Sequence, residues 1–293
     1  DDCCATRWPL LLVHGVGFHD SHRYRYWGRI PEALIAHGAR IHYGLQDAWG
    51  SCENNASMLR ETLLGIIEQA GCEKVNVIAH SKGGLDMRML ASMEDCAPHI
   101  ASLTTIATPH AGSRTMDAVM RIPAPLFKAA AVPVNGFFKL LGDKSPDFYA
   151  VCSQLTTDAM RRFNEKHPPL DSLFCQSYAG VMGGPLSDVT MTFSYLIVRH
   201  FDGPNDGLVA LNSTPFGSFN GMIEGAGSRG VSHCDVVDLR RRALKKHLRH
   251  TARRPPKGTD SGEGGGVDEG DDFCFDIVDW HLRLVADLKA RGL

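Results

Sequence analysis

The sequence predicts an α/β fold: a mostly parallel central sheet with helices on both faces and a helical insertion over the sheet's working edge. Three observations predict it. Pro9 to Val13, Lys74 to Ala79 and Leu103 to Ala107 are short and almost wholly apolar, as strands buried on both faces are. Helical periods lie between them, the alternation that gives parallel sheets. His14-Gly15, Ser81 and Thr108-Pro109 fall at the carboxyl ends of those strands, where such sheets carry their chemistry.

Taken in order, the strand over Pro9 to Val13 ends in His14-Gly15-Val16-Gly17. Ile30 to His37 reads as a helix and Ala39 to Tyr43 as the second strand. From Asn54 to Ala70, Met58, Leu59, Thr62, Leu63, Ile66 and Ile67 fall on one helical face, and Gly71 ends the helix as a C-cap. Lys74 to Ala79 is a strand and Gly84 to Met93 its following helix. Leu103 to Ala107 is the next strand, and Phe193 to Arg199 reads as a late one. Residues 114–150 break the rhythm with Pro123, Pro125, Pro133 and Pro146 among Leu126, Phe127, Phe137, Phe138, Leu140 and Leu141. Residues 254–272 are rich in Gly and acid and read as a flexible loop. Phe273 to Lys289 closes the chain as an amphipathic helix with Ile277, Trp280, Leu284 and Leu288 on one stripe.

The 293 residues suit one domain, residues 1–293, and 43% hydrophobic with 22% charged residues is an ordinary globular balance. A net charge of -2 without a long basic run points away from nucleic acid; Arg240-Arg241-Arg242 with Lys245-Lys246 reads as a solvated face. No stretch approaches the length of a membrane span. Asp1-Asp2-Cys3-Cys4 does not read as a signal peptide and suggests a processed or truncated start. Nine dispersed cysteines, none in a Cys-X-X-Cys pair, make a zinc ribbon a poor reading and leave any disulfide unassigned.

The chemistry centres on Val75-Asn-Val-Ile-Ala-His-Ser-Lys-Gly-Gly84. An apolar strand running into small-X-Ser-X-Gly, with a helix after it, is a nucleophile elbow. Ala79 and Gly83 keep its flanks narrow, Ala79 standing where Gly is usual. A serine hydroxyl needs a base, and the base an acid to fix its tautomer. In this architecture the chain order is Ser, acid, His. His233, in Arg229-Gly-Val-Ser-His-Cys-Asp235, lies in a loop before a helix and is the best-placed base after Ser81. The segment after Phe193 to Arg199 offers both Asp202 and Asp206 as the acid, with Asp206 in a tight Asn-Asp-Gly turn. Two backbone N–H groups must face the oxyanion: Lys82, after the serine, and Val16, beyond Gly15. His14 reads as a residue that orients its loop rather than as a second base.

These pieces resemble the bacterial true lipases of the α/β-hydrolase superfamily, the Pseudomonas and Burkholderia type. The carriers are Leu-Leu-Val-His-Gly-Val-Gly, Ile-Ala-His-Ser-Lys-Gly-Gly, Ile-Ala-Thr-Pro-His-Ala-Gly-Ser, Gln154-Leu-Thr-Thr157, Asn-Asp-Gly-Leu-Val and Ser-His-Cys-Asp, spread over residues 10–235. The resemblance implies an α/β-hydrolase fold with a Ser81, Asp206, His233 triad, which settles the acid, and hydrolysis of fatty acyl esters at an oil–water interface. It implies a lid over residues 114–150, although a helical cap lining a closed pocket would read alike. It also implies secretion, and a structural calcium ion held by Asp188 and Asp235. On residues alone, Asp235 reads instead as the cap of a following helix. Residues 44–73 are too short for the zinc insertion of related thermophilic lipases, so no zinc is expected. The same site would also serve an esterase, a polyesterase, amide hydrolysis or acyl transfer. A lipid-binding scaffold that lost the chemistry is the reading from another class.

Overall fold

The computed structural model describes residues 2–17, 25–224, 227–239, 244–245 and 274–293. The expected loop over 254–272 and most of the basic patch lie outside them. Six strands form one parallel sheet in the order β2-β1-β3-β4-β5-β6: β1 Leu10–Val13, β2 Ile41–Tyr43, β3 Val75–His80, β4 Ile100–Ile106, β5 Phe174–Ala179 and β6 Ser218–Met222. Leu244–Lys245 (β7) and Cys274–Phe275 (β8) pair antiparallel apart from it. The helices are α1 Ile30–Ala36, α2 Cys52–Ala70, α3 Lys82–Ala91, α4 Arg114–Val119, α5 Ala124–Leu141, α6 Phe148–Gln154, α7 Thr157–Lys166, α8 Thr192–Phe201 and α9 Ile277–Ala290.

The period of a strand explains the layering. Successive side chains point to opposite faces, so Leu10, Leu12 and Ile78 join Trp27, Ile30, Leu34 and Val285 in one core. Leu11, Val13, Val77 and Ala79 join Leu59, Leu63, Met87 and Leu90 in the other. Each fully buried leucine contributes about 2 kcal/mol, and both faces must be covered before the strands hold. α2 lies where its apolar stripe predicts: Ser51 caps it by accepting the Asn54 N–H, and Gly71 ends it at φ 58.

The expected strand over 193–199 is a helix. In α8, Tyr195 and Val198 are buried, whereas Phe193, Leu196 and His200 face out. That spacing of three is a helical face, and the apolar run misreads as a strand because its outward side is also apolar. The last two strands of the six-stranded sheet are instead β5 and β6. Phe-Cys-Gln-Ser-Tyr-Ala carries Gln176 and Ser177, both buried, so it lacks the apolar run expected of a central strand. Gln176 Nε2 donates to Thr104 Oγ1 at 2.9 Å, and Ser177 Oγ accepts the Phe216 N–H at 2.9 Å, so these polar groups are satisfied inside the sheet. The helix after the elbow starts at Lys82 rather than Gly84.

The register brings the strand ends together. Val13 pairs with Ala79 and His80 with Ile106. The Ser81 N–H reaches Ile106 O at 2.9 Å, and the Ala107 N–H reaches Tyr178 O at 2.8 Å. The loops after β1, β3, β4 and β5 therefore open on one edge of the sheet.

Between β4 and β5, α4 to α7 occupy the region expected as the insertion and run past it to Lys166. Carboxylates hold its two ends. Asp202 accepts the N–H groups of Arg114 and Thr115 at 2.7 and 3.0 Å, and the Ser113 and Thr115 hydroxyls at 3.1 and 2.8 Å. At the far end Asp143 accepts the N–H groups of Ala48 and Trp49, both at 2.9 Å. Asp47 returns the bond, accepting those of Lys144 and Ser145 at 2.8 and 2.7 Å. Between these ends, Leu126, Val132, Phe137, Leu140 and Leu141 of α5 face solvent.

Candidate active site

Ser81 lies at the turn from β3 into α3 with φ 54 and ψ -133. A non-glycine residue rarely holds that backbone, and the strain persists only because the surroundings enforce it. They are tight. A Cβ on Gly83 would lie 2.3 Å from His14 O, and one on Gly15 would lie 2.6 Å from Ser81 Cβ. The elbow and the loop after β1 are thus pressed together, and both positions admit only glycine. Thr108 Oγ1 donates to Ser81 O at 2.7 Å and closes the turn from the β4 side.

His233 and Asp206 meet twice. The His233 N–H donates to Asp206 O at 2.8 Å, and the ring Nδ1 lies 2.7 Å from Asp206 Oδ2. A carboxylate only accepts, so Nδ1 carries the proton and Nε2 presents a lone pair. Asp206 is fully buried, and its Oδ1 accepts the N–H groups of Leu208 and Val209 at 3.0 and 2.8 Å. The Met182 N–H donates to Asn205 O at 2.9 Å, which ties the acid's turn to the chain leaving β5. Asp202, the rival acid, is spent on α4. The His233 ring lies 4.4 Å, centroid to centroid, from that of His80, the residue before Ser81.

Beneath the serine, the Tyr26 hydroxyl accepts the Gly15 N–H at 2.9 Å and lies 2.6 Å from His80 Nδ1. Burial pushes the His80 pKa well below its usual value, so the ring is neutral and takes the phenol proton on Nδ1. His14 stands beside this chain. Its ring nitrogens face Gly15 O and Gln46 O at 2.8 and 3.0 Å, and Gln46 Nε2 donates to His14 O at 2.7 Å. That matches the loop-orienting role expected of it. Tyr26 was not legible as part of the site, because no motif distinguishes a tyrosine near the first strand from an ordinary core residue.

Lys82 starts α3, and its N–H is one of those a helix leaves unbonded at its N-terminus. Its side chain is buried, with Nζ 2.6 Å from Asp86 Oδ1, while Asp86 Oδ2 accepts from Asn55 Nδ2 at 2.9 Å. Burial alone would depress the lysine pKa; the carboxylate beside it reverses that and raises it.

No protein-family model matches the chain. Its sequence is 30% identical over 239 residues to a triacylglycerol lipase of Vibrio cholerae, taking in 72% of this chain and 75% of that protein. The chain belongs to the bacterial lipase family. To a Pseudarthrobacter phenanthrenivorans triacylglycerol lipase it is 34% identical over 183 residues, 57% of this chain and 56% of that protein. Among solved structures, the mature form of a Bacillus licheniformis lipase matches with a TM-score of 0.61 at 21% identity, covering 80% of this chain and 88% of that one. EstA of Clostridium botulinum gives 0.61 at 16% identity, covering 99% and 88%. Likeness at these identities concerns the fold, which is that of the α/β-hydrolases. Within this lipase family the chain is a serine ester hydrolase.

The two acids expected to hold calcium do come together, through Ser232, which bonds both. Among the described residues no three or more His, Cys, Asp or Glu side chains are grouped so that they could hold a metal ion. Asp235 opens only a short 3-10 turn, Asp235–Val237, and turns back to accept the Ser232 N–H at 3.2 Å rather than capping a long helix. No described helix is long and apolar enough to cross a membrane.

Proposed function

We propose that this chain is a lipase that cleaves fatty acyl esters, triacylglycerols among them, with Ser81 as nucleophile. The His233–Asp206 pair, its imidazole packed against the ring of His80 next to the strained elbow serine, supports the reading. Ser81 Oγ attacks the acyl carbonyl as His233 Nε2 takes its proton. Asp206 holds the ring and offsets the imidazolium charge. The carbonyl oxygen becomes an oxyanion facing the N–H groups of Val16 and Lys82. Collapse expels the alkoxide, which leaves as the alcohol with the proton from His233, and the acyl group stays on Ser81. Water, deprotonated by His233, then attacks the acyl-enzyme; the fatty acid leaves and Ser81 Oγ recovers its proton.

The apolar exposure of α5, and of Phe193 and Leu196 on α8, supports a lipid-facing role for the helical insertion. α5 then acts as a lid that moves against a lipid aggregate. The deciding experiment is hydrolysis of p-nitrophenyl esters from acetate to palmitate, then of emulsified triglyceride, with Ser81→Ala alongside. A rate that rises with chain length, extends to the emulsion and falls by roughly 10⁶-fold in the variant supports the lipase. Activity confined to short soluble esters makes the insertion a fixed cap and the chain an esterase. Hydrolysis that survives Ser81→Ala overturns the assignment.

A further inference from the structure

The loop that carries His233 contains its own cation. Arg229 precedes His233 by one helical turn's worth of chain, and its Nη1 lies 3.4 Å from Asp235 Oδ2. The Arg229 carbonyl accepts the Gly183 N–H at 2.8 Å, and the Val231 N–H donates to Val181 O at 2.8 Å, so the loop is stitched to the chain leaving β5 on both sides of Gly230. Ser232 fills the centre. Its Oγ donates to Asp188 Oδ2 at 2.7 Å and accepts the Asp235 N–H at 3.2 Å. Asp188 Oδ1 accepts both the N–H and the hydroxyl of Thr190, at 3.1 and 2.9 Å.

Calcium needs six to eight oxygen ligands with lone pairs turned inward, at about 2.3–2.6 Å. Here the turned-in groups are hydrogens. Both oxygens of Asp188 and Oδ2 of Asp235 already accept O–H or N–H donors, and the guanidinium of Arg229 stands at ion-pair distance from Asp235 Oδ2. The two carboxylates are almost fully buried, and the positive charge beside Asp235 is a side chain. The residues present do not fit the ion that the family resemblance implies. We infer that Arg229 takes the place of calcium, and that Arg229 and Ser232 clasp Asp188 and Asp235 to hold the His233 loop without a metal.

The inference rests on the proposed role of His233 only for what the clasp serves; melting curves read the clasp with no substrate present. The full chain is melted in excess EDTA and in millimolar calcium chloride, as wild type, Arg229→Ala and Arg229→Ala/Asp188→Asn. The wild type is expected to melt at the same temperature in both. Arg229→Ala in EDTA melts several degrees lower, and calcium, entering the vacated place, restores most of the loss. The double variant recovers nothing. Should the alanine variant fail to fold, Arg229→Gln keeps a donor to Asp235, drops only the charge, and is read in the same way. A wild type stabilised by calcium overturns the proposal, as does an Arg229 variant that melts unchanged or whose loss calcium does not repair. If Ser81-dependent ester hydrolysis is absent while the melting pattern holds, the functional reading fails and the clasp stands.

Discussion

Lys82 follows the elbow serine, yet its ammonium is turned into the protein against Asp86. Removing one partner of a buried ion pair leaves the other charge uncompensated, which costs about 3–5 kcal/mol. Lys82→Met is therefore expected to lower the urea midpoint strongly, and adding Asp86→Asn should recover much of the loss, because the stranded carboxylate is gone. Additive losses in that pair of variants would refute the coupling. Tyr26 offers a test on turnover. Tyr26→Phe deprives the Gly15 N–H of its acceptor and loosens the loop that presents Val16. The kcat is expected to fall about tenfold, roughly 1.4 kcal/mol of lost transition-state stabilisation, with KM nearly unchanged. A change confined to KM would make Tyr26 a wall of the substrate site instead.

Among the elements, α1, the loop after His233 and α9 are joined by one side chain. Arg29 bonds Asp238 through Nε and Nη2, both at 2.8 Å, and its Nη1 and Nη2 bond Asp276, the N-cap of α9, also at 2.8 Å. The paired carboxylates raise the guanidinium pKa, so its charge is fixed at any working pH. Arg29→Ala strands the buried Asp238 and should cost ~2–3 kcal/mol, the guanidinium's partial exposure trimming the figure. Chemical denaturation checks it, and a shift under about 0.5 kcal/mol would show that solvent replaces the clamp. Elements of this kind set what the sequence discloses. β1, β3, β4 and α2 are legible because one period dominates each. β5 is hidden by Gln176 and Ser177, whose partners Thr104 and Phe216 are far along the chain. α8 is mistaken because its exposed face is as apolar as its buried one. At the candidate site, Ser81, Asp206 and His233 stand out through motif and chain order, whereas Tyr26 and Arg229, like Arg29 in its clamp, bond partners that no local pattern announces.

For the whole molecule, three buried histidines set the response to acid. Burial lowers the pKa of His80 and His110 well below 6.5 and that of His281 to about 4. The unfolded chain protonates these rings near 6.5 while the folded one does not, so the unfolded state binds more protons as the pH falls. Stability is complete above pH 6.5 and is lost progressively below it. His281 alone accounts for roughly 3 kcal/mol by pH 4. The melting temperature should drop steeply between pH 6.5 and 4, and His281→Phe should flatten that slope if it folds; an unchanged slope refutes the assignment.

The carboxylates at the two ends of the helical insertion have one more consequence. Asp47 grips the main chain of residues 144 and 145, and Asp202 grips that of residues 114 and 115. Backbone amides look the same whatever side chain they bear, proline excepted. The Asp47 socket therefore recognises peptide backbone rather than sequence, and the Asp202 socket adds only the hydroxyls of Ser113 and Thr115, so most of the segment between them is an interchangeable cassette. A graft that keeps hydroxyls at 113 and 115 and an acid at 143, and avoids proline at 114, 115, 144 and 145, should dock on this scaffold, so substrate range can be re-engineered, and can drift in evolution, without rebuilding the catalytic frame.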